Sequence, residues 1–340
     1  MGKKIFYGYI VATGMLTACM SETLSVEDKE LGTNPSVSLY RMVFNTLEGG
    51  LIDSRASIDE ESLNTGQGSS FRWDAGDRVM VWTGSDVDSL TPCLFATVEG
   101  GVRAARFEYQ GVQVGSRLYF GFSPYIEGIQ YNQINITVPT DGSILQTEKN
   151  NSHHLGTYRP MYTSVVTRDF DSSELTGLSF RHLTGLLYFR ILNEMGKNVN
   201  IESVSIRCTS GVFPKHAVLK FTPDRPETEV QFDIQKTNCS ETATLSLGKN
   251  ASGIIVANNE IIQTFLPILP VENLTDTRFT LVLKANGKEY VSLEIDGNDI
   301  KSFKRGYYYR FGMRLKDTKI DVDSVIADWE QGNEIIVPID

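Results

Sequence analysis

The chain has 340 residues, of which 41% are hydrophobic and 22% charged, and a formal net charge of −10. That composition is globular, with length for about two domains at roughly 150 residues each, and excludes a disordered, collagen-like or polytopic membrane chain. The acidic balance excludes a generic nucleic-acid binder, and four His and four Cys are too few for a multi-ligand zinc module or a disulfide-dense fold.

Met1 to Lys4 is a short basic start, and residues 5–15 form an uncharged, mostly apolar run. The run is shorter than the ~20 residues of a spanning helix, so it reads as the core of a secretory signal. The sequence Leu16-Thr17-Ala18-Cys19 that follows resembles a bacterial lipoprotein box. The resemblance implies a signal peptide over 1–18, cleavage between Ala18 and Cys19, and lipidation at Cys19. Several acyl chains would then anchor the protein to the outer membrane. Residues 19–36 are polar and read as a flexible tether.

Beyond residue 36 the pattern is strand-like. Alternating runs occupy 78–83, 104–109, 116–122, 186–192, 201–208 and 307–315, each bounded by turn residues. Residues 279–284 and 289–295 flank Asn286-Gly287, the strongest short-range hairpin signal, because both turn positions need positive φ. Many short strands with frequent turns predict an all-β chain of two tandem β-sandwiches, 37–170 and 171–340. The boundary falls in the polar stretch 168–173.

Motifs for catalysis are missing. The chain has no Gly-x-x-x-x-Gly-Lys-Ser/Thr, His-Glu-x-x-His, Gly-x-Ser-x-Gly or Cys-x-x-Cys. Gly66-Gln67-Gly68 lacks its third glycine, since Phe71 stands there. His153-His154 reads as a solvated loop rather than a metal site, and His182 as a structural histidine. Asp169, Asp171 and Glu174, and likewise Asp321 and Asp323, read as solvated turns without calcium-loop spacing. Cys208 and Cys239 could pair or remain free thiols beside Cys93. Trp73, Trp82, Trp329 and Tyr307-Tyr308-Tyr309 read as core rather than as a sugar-binding platform. No catalytic residue, metal or cofactor is expected, and the chain is read as a non-enzyme. The rival readings are a surface glycan-binding lipoprotein, with Trp73 or Trp329 facing solvent, and a β-sandwich hydrolase built on two facing carboxylates.

A series of ordered motifs resembles one family. After the lipoprotein box come Met42-Val43-Phe44-Asn45-Thr46 and Ser54-Arg55-Ala56. The entry strand Trp73-Asp74-Ala75-Gly76-Asp77-Arg78-Val79-Met80-Val81-Trp82 and Ser123-Pro124-Tyr125 follow. Leu178-Ser179-Phe180-Arg181-His182, Phe303-Lys304-Arg305-Gly306-Tyr307 and Ile326-Ala327-Asp328-Trp329 complete the series. In this order the chain resembles the fimbrillins, the lipoprotein-derived pilins of type V fimbriae. The resemblance implies two transthyretin-like Greek-key sandwiches, a location on the outer membrane surface or in the fimbrium, and a role in cell adhesion as a structural subunit or an accessory anchor or tip lipoprotein. As partners it implies other fimbrial subunits or copies of the same chain, with a host or bacterial surface ligand, and no nucleic acid. It also implies assembly by donor-strand exchange after a surface protease removes the first strand.

These residues carry a physical version of that mechanism. Tyr40, Met42 and Phe44 alternate along a candidate first strand. Arg55-Ala56, in the polar loop after it, is the candidate processing site. Burying three such side chains contributes about 5–9 kcal/mol as an upper figure, comparable with a typical net stability of about 5–15 kcal/mol. Losing the strand would leave a groove for a neighbour's strand. The candidate donor lies within 325–340, where Ile335, Val337 and Ile339 alternate and Pro338, lacking an N–H, suits an edge insert.

Overall fold

The computed structural model describes residues 37–44, 57–58, 71–84, 90–102, 105–112, 118–163, 166–167, 174–178, 180–221, 230–327 and 336–337. In chain order the first strands are β1 (Val37–Phe44), β2 (Ser57–Ile58), β3 (Phe71–Arg72), β4 (Arg78–Gly84), β5 (Thr91–Thr97), β6 (Ala105–Val112) and β7 (Leu118–Ser123). There follow β8 (Ile134–Thr137), β9 (Asp141–Gln146), the helical turn α1 (Leu155–Tyr158), β10 (Met161–Thr163), β11 (Val166–Thr167), β12 (Glu174–Leu178) and β13 (Phe180–His182). The rest are β14 (Gly185–Asn193), β15 (Val199–Cys208), β16 (His216–Lys220), β17 (Gln231–Gln235), β18 (Thr242–Leu247), β19 (Ile254–Val256) and β20 (Ile261–Ile268). The series closes with β21 (Arg278–Ala285), β22 (Lys288–Val291), β23 (Ile295–Asp296), the turn α2 (Gly297–Ile300), β24 (Tyr308–Leu315), β25 (Ile320–Ala327) and β26 (Ile336–Val337).

The chain is all-β, as its alternation predicts. A nine-stranded sheet runs β12-β1-β6-β5-β4-β7-β10-β13, with β11 also on β7. A five-stranded sheet runs β20-β14-β24-β25-β26, and a seven-stranded one β22-β21-β15-β18-β9, joined by β19 and β23. β17-β16-β8 and β2-β3 form smaller sheets. The Asn-Gly hairpin forms where expected. Ala285 pairs with Lys288, leaving Asn286 (φ 48°) and Gly287 (φ 75°) as the two-residue turn.

Two sets of pairings cross the boundary expected near 168–173. β8 and β9, which precede it, pair with β16 and β18, while β12, which follows it, pairs with β1. The large core accordingly mixes Trp82, Phe120 and Ile136 with Leu187, Phe189, Leu245, Leu283 and Phe311. A smaller core of Trp73, Val79, Val81, Cys93, Phe95, Ala105, Phe107, Met161 and Phe180 lies against the nine-stranded sheet. A third cluster joins Leu155 to Leu186, Tyr188 and Phe265.

Candidate strand-exchange site

Tyr40, Met42 and Phe44 all fall in β1, one strand in from the edge of the nine-stranded sheet. β1 runs antiparallel to β6 in unbroken register from Val37↔Val112 to Phe44↔Ala105. Tyr40 therefore stands opposite Tyr109, Met42 opposite Phe107 and Phe44 opposite Ala105. Phe107 and Ala105 are fully buried members of the small core. On its other side β1 runs parallel to β12, from Arg41↔Glu174 to Phe44↔Leu178, with a slip between Val43 and Phe44. β1 is thus held on both sides and β12 is the outer strand. Taking β1 away would remove a partner from both β6 and β12, so the groove expected from sequence has a strand on each side. Spacing gave no hint of β12, because its partner lies more than a hundred positions earlier in the chain.

The core behind β6 is aromatic. Trp73 is edge-on to Phe107 at 4.8 Å and to Phe180 at 5.7 Å, and Phe95 lies 5.3 Å from Tyr109. Trp73 is 1% exposed, so it cannot serve as a sugar platform, and Trp82 is likewise buried. The glycan-binding reading loses its Trp73 on this ground, while Trp329 lies outside the described residues. Trp73 is held by backbone bonds to both sides: its N–H donates to Val102 O at 2.8 Å and its carbonyl accepts from Gly101 at 2.7 Å. The next four residues make a tight turn. Asp77 N–H donates to Asp74 O at 3.0 Å, and Asp74 N–H donates to Asp77 Oδ2 at 2.9 Å. Gly76 takes φ 87° in that turn, a region that side chains other than Gly rarely enter. The Trp-x-x-Gly-Asp motif is therefore a structural corner that seats the indole and launches β4.

Cys93 sits in the same core, and burial pushes its thiol up to about 11, against a small lowering by Tyr109. Cys208 and Cys239 are both free thiols, so the disulfide alternative falls.

Of the candidate donor, Val337 lies in β26 and pairs with Val325 of β25, beside Ile336↔Ile326. The tail is thus folded back on its own sheet for two residues. Ile335, Ile339, Arg55, Ala56, Ala18, Cys19 and the segments 1–18 and 19–36 lie outside the described residues.

The remaining sequence candidates find structural posts. His153 Nδ1 lies 3.2 Å from Asp74 Oδ2 on the surface. His154 departs from the solvated loop expected: its Nε2–H donates to the Phe265 carbonyl at 2.6 Å. Burial draws its imidazole down to about 4, against the carbonyl bond, which raises it. His182 is buried. Asp321 is held below the usual carboxylate range by hydrogen bonds from Lys316 and Lys319. Asp169 and Asp171 lie outside the described residues. Among the described residues no three His, Cys, Asp or Glu side chains converge as metal ligands. A cleft of about 680 Å³ opens beside β17, lined by Phe232, Asp233, Val271, Glu272, Phe303 and Lys304 among others. Its two carboxylates serve ion pairs, Asp233 with Lys220 at 3.1 Å and Glu272 with Lys236 at 2.6 Å, rather than a facing acid–base pair.

Residues 65–329 match the family model described as fimbrillin-like. The chain belongs to the fimbrillin-like family. Proteins of this family are structural and non-enzymatic, and membership supports a fimbrial subunit role at the cell surface. No curated protein matches the chain. Among solved structures, a Bacteroides uniformis protein whose name assigns it to cell adhesion is 14% identical, with TM-score 0.49, over 74% of this chain and 90% of that one. The tip fimbrial protein Mfa3 of Porphyromonas gingivalis is 10% identical with TM-score 0.40, over 86% of this chain and 100% of its own. The fimbrial anchor protein Mfa2 of the same organism is 12% identical with TM-score 0.34, over 88% and 99%. The family match, not these overlaps, carries the assignment.

Proposed function

We propose that this fimbrillin-like protein is a subunit of type V fimbriae that is exported as a lipoprotein through Cys19 and polymerises by donor-strand exchange. In this reading a protease cuts at Arg55-Ala56 and frees β1. The Ile335, Val337 and Ile339 tail of a sister subunit then fills the place of Tyr40, Met42 and Phe44. The observation that carries the reading is the position of β1 between β6 and β12. One strand bridges two others, so its loss creates a slot with backbone partners on both walls, which an added strand can satisfy. The family match leaves out both β1 and β26, the two segments the exchange would trade. The tail is spare by the same measure, since its described part makes only two pairs with β25.

Limited digestion of the full chain with an Arg-specific protease tests this. The expected result is loss of the segment ending at Arg55, a new N-terminus at Ala56 and ladders that survive SDS. An intact monomer, or a cleaved chain that stays monomeric, would overturn polymerisation and with it the stalk role, leaving the accessory anchor or tip role.

A further inference from the structure

The cleft of about 680 Å³ beside β17 follows the outer edge of that strand. Among the described strands β17 pairs with β16 alone, so its outer backbone groups have no strand beside them. Residues 230–234 line the cleft in unbroken succession. Successive side chains of a strand point to opposite faces, so a cleft that touches every one of them lies along the edge and not over one face. The far wall is formed by residues 270–272 and 302–305. Val271 and Phe303 exchange N–H···O bonds there, both at 2.8 Å. The same wall is pinned by Lys304 N–H, which donates to the Tyr309 hydroxyl at 2.7 Å, and by Gly306 N–H, which donates to Thr184 O at 2.9 Å. The cleft is thus held open by bonds within the fold, and an occupant need not order its walls.

Charge and apolar surface decide what fits there. Both acids of the lining are compensated. Asp233, the charge that would guard this edge, is turned back to Lys220 of β16 at 3.1 Å. Glu272 pairs with Lys236, just past the end of β17, at 2.6 Å. Lys304 and Arg305 differ: among the described residues each meets an aromatic ring, Tyr307 at 5.1 Å and Tyr162 at 6.0 Å, and no carboxylate. The cleft therefore carries two uncompensated cations in a chain of net charge −10. Its apolar part is accessible, since Phe232 and Ile234 are half-exposed beside buried Val230 and Val271.

An extended peptide answers all three features. It brings N–H and C=O groups to the edge, apolar side chains to Phe232 and Ile234, and carboxylates to the two cations. A sugar acid would meet the cations but brings no backbone for the edge. Phe232 would be its one stacking ring in the lining, because Phe303 is fully buried. We infer that this cleft receives an extended acidic segment of a partner protein as an added strand on β17, with carboxylates on Lys304 and Arg305. β17 lies in a different sheet from β1, so this site stands or falls independently of strand exchange there.

Titration of the full chain with a labelled short peptide alternating valine and glutamate, beside its valine–lysine counterpart, tests it. Only the glutamate peptide should raise the anisotropy. On its binding, hydrogen exchange at alternate amides within 231–235 should slow at least about tenfold, while β8, on the far side of β16, stays unchanged. Lys304→Glu with Arg305→Glu should weaken binding at least about tenfold. If that variant does not fold, Lys304→Gln, which keeps a polar side chain without the charge, is read by the same measure. No binding of the glutamate peptide, equal binding of both peptides, or unchanged exchange in β17 overturns the proposal. So does undiminished binding by the folded charge variant. A glucuronate oligosaccharide that binds where the glutamate peptide does not would assign the cleft to sugar acids and overturn the added strand.

Discussion

At His154 two influences act on one imidazole in opposite directions. Burial disfavours the cation, and the proton on Nε2 already serves the Phe265 carbonyl, so the ring stays neutral down to about pH 4, against an ordinary value near 6.5. The neighbouring His153 lowers it further. Because the folded-state value is depressed, the unfolded chain takes up the proton first. The contribution to stability is therefore complete above about pH 6.5 and drains away as pH falls toward 4, by at most about 3 kcal/mol. Urea midpoints measured across that window should decline with acidity, and His154→Gln, which keeps a donor but cannot titrate, should flatten the decline. Residues of this kind were only partly legible in the sequence. Gly76 could be read as a turn glycine because turn chemistry is local. Gln146 could not, since its partners lie 117 and 119 positions away and a side chain that bonds a distant backbone leaves no periodic trace.

Elements were legible where their partner was close in the chain. The Asn286-Gly287 hairpin and the alternation of β4, β14 and β15 follow from turn chemistry and a period of two. The crossings of β8 to β16 and β9 to β18 do not, because nothing local selects a partner about eighty or a hundred residues on. β1 gives this scale a chemical reporter. Its neighbour β6 contributes Phe107 to the core that hides Cys93, a thiol held protonated by burial. With β1 in place, a thiol reagent at neutral pH should modify the half-exposed Cys239 first and spare Cys93 and Cys208. After cleavage at Arg55 and loss of β1, Cys93 labelling should rise sharply while Cys208 stays protected, read by peptide mass mapping. Equal labelling of Cys93 before and after would mean that β1 does not guard this core.

For the whole molecule, the proposed acceptor and the proposed donor lie in separate segments and can be broken separately. Val337→Asp with Ile339→Asp puts charges on the alternating face of the tail and leaves β1 untouched. That chain should be cleaved normally yet form no ladder, because burying an unpaired carboxylate in an apolar slot is strongly disfavoured. Mixed with the unaltered protein, it should still accept a foreign tail and shorten the ladders seen on gels. Normal ladders from the variant alone would assign donation to another segment.

The two walls beside β1 have opposite sense: β6 runs against it and β12 runs with it. A substitute strand keeps both sets of backbone bonds only when it threads in the original direction. Every junction made this way points alike, so a fibre grown from such units carries an arrow. Under the proposed exchange one end offers the β1 slot and the other the donor segment, and elongation and capping become different chemical events.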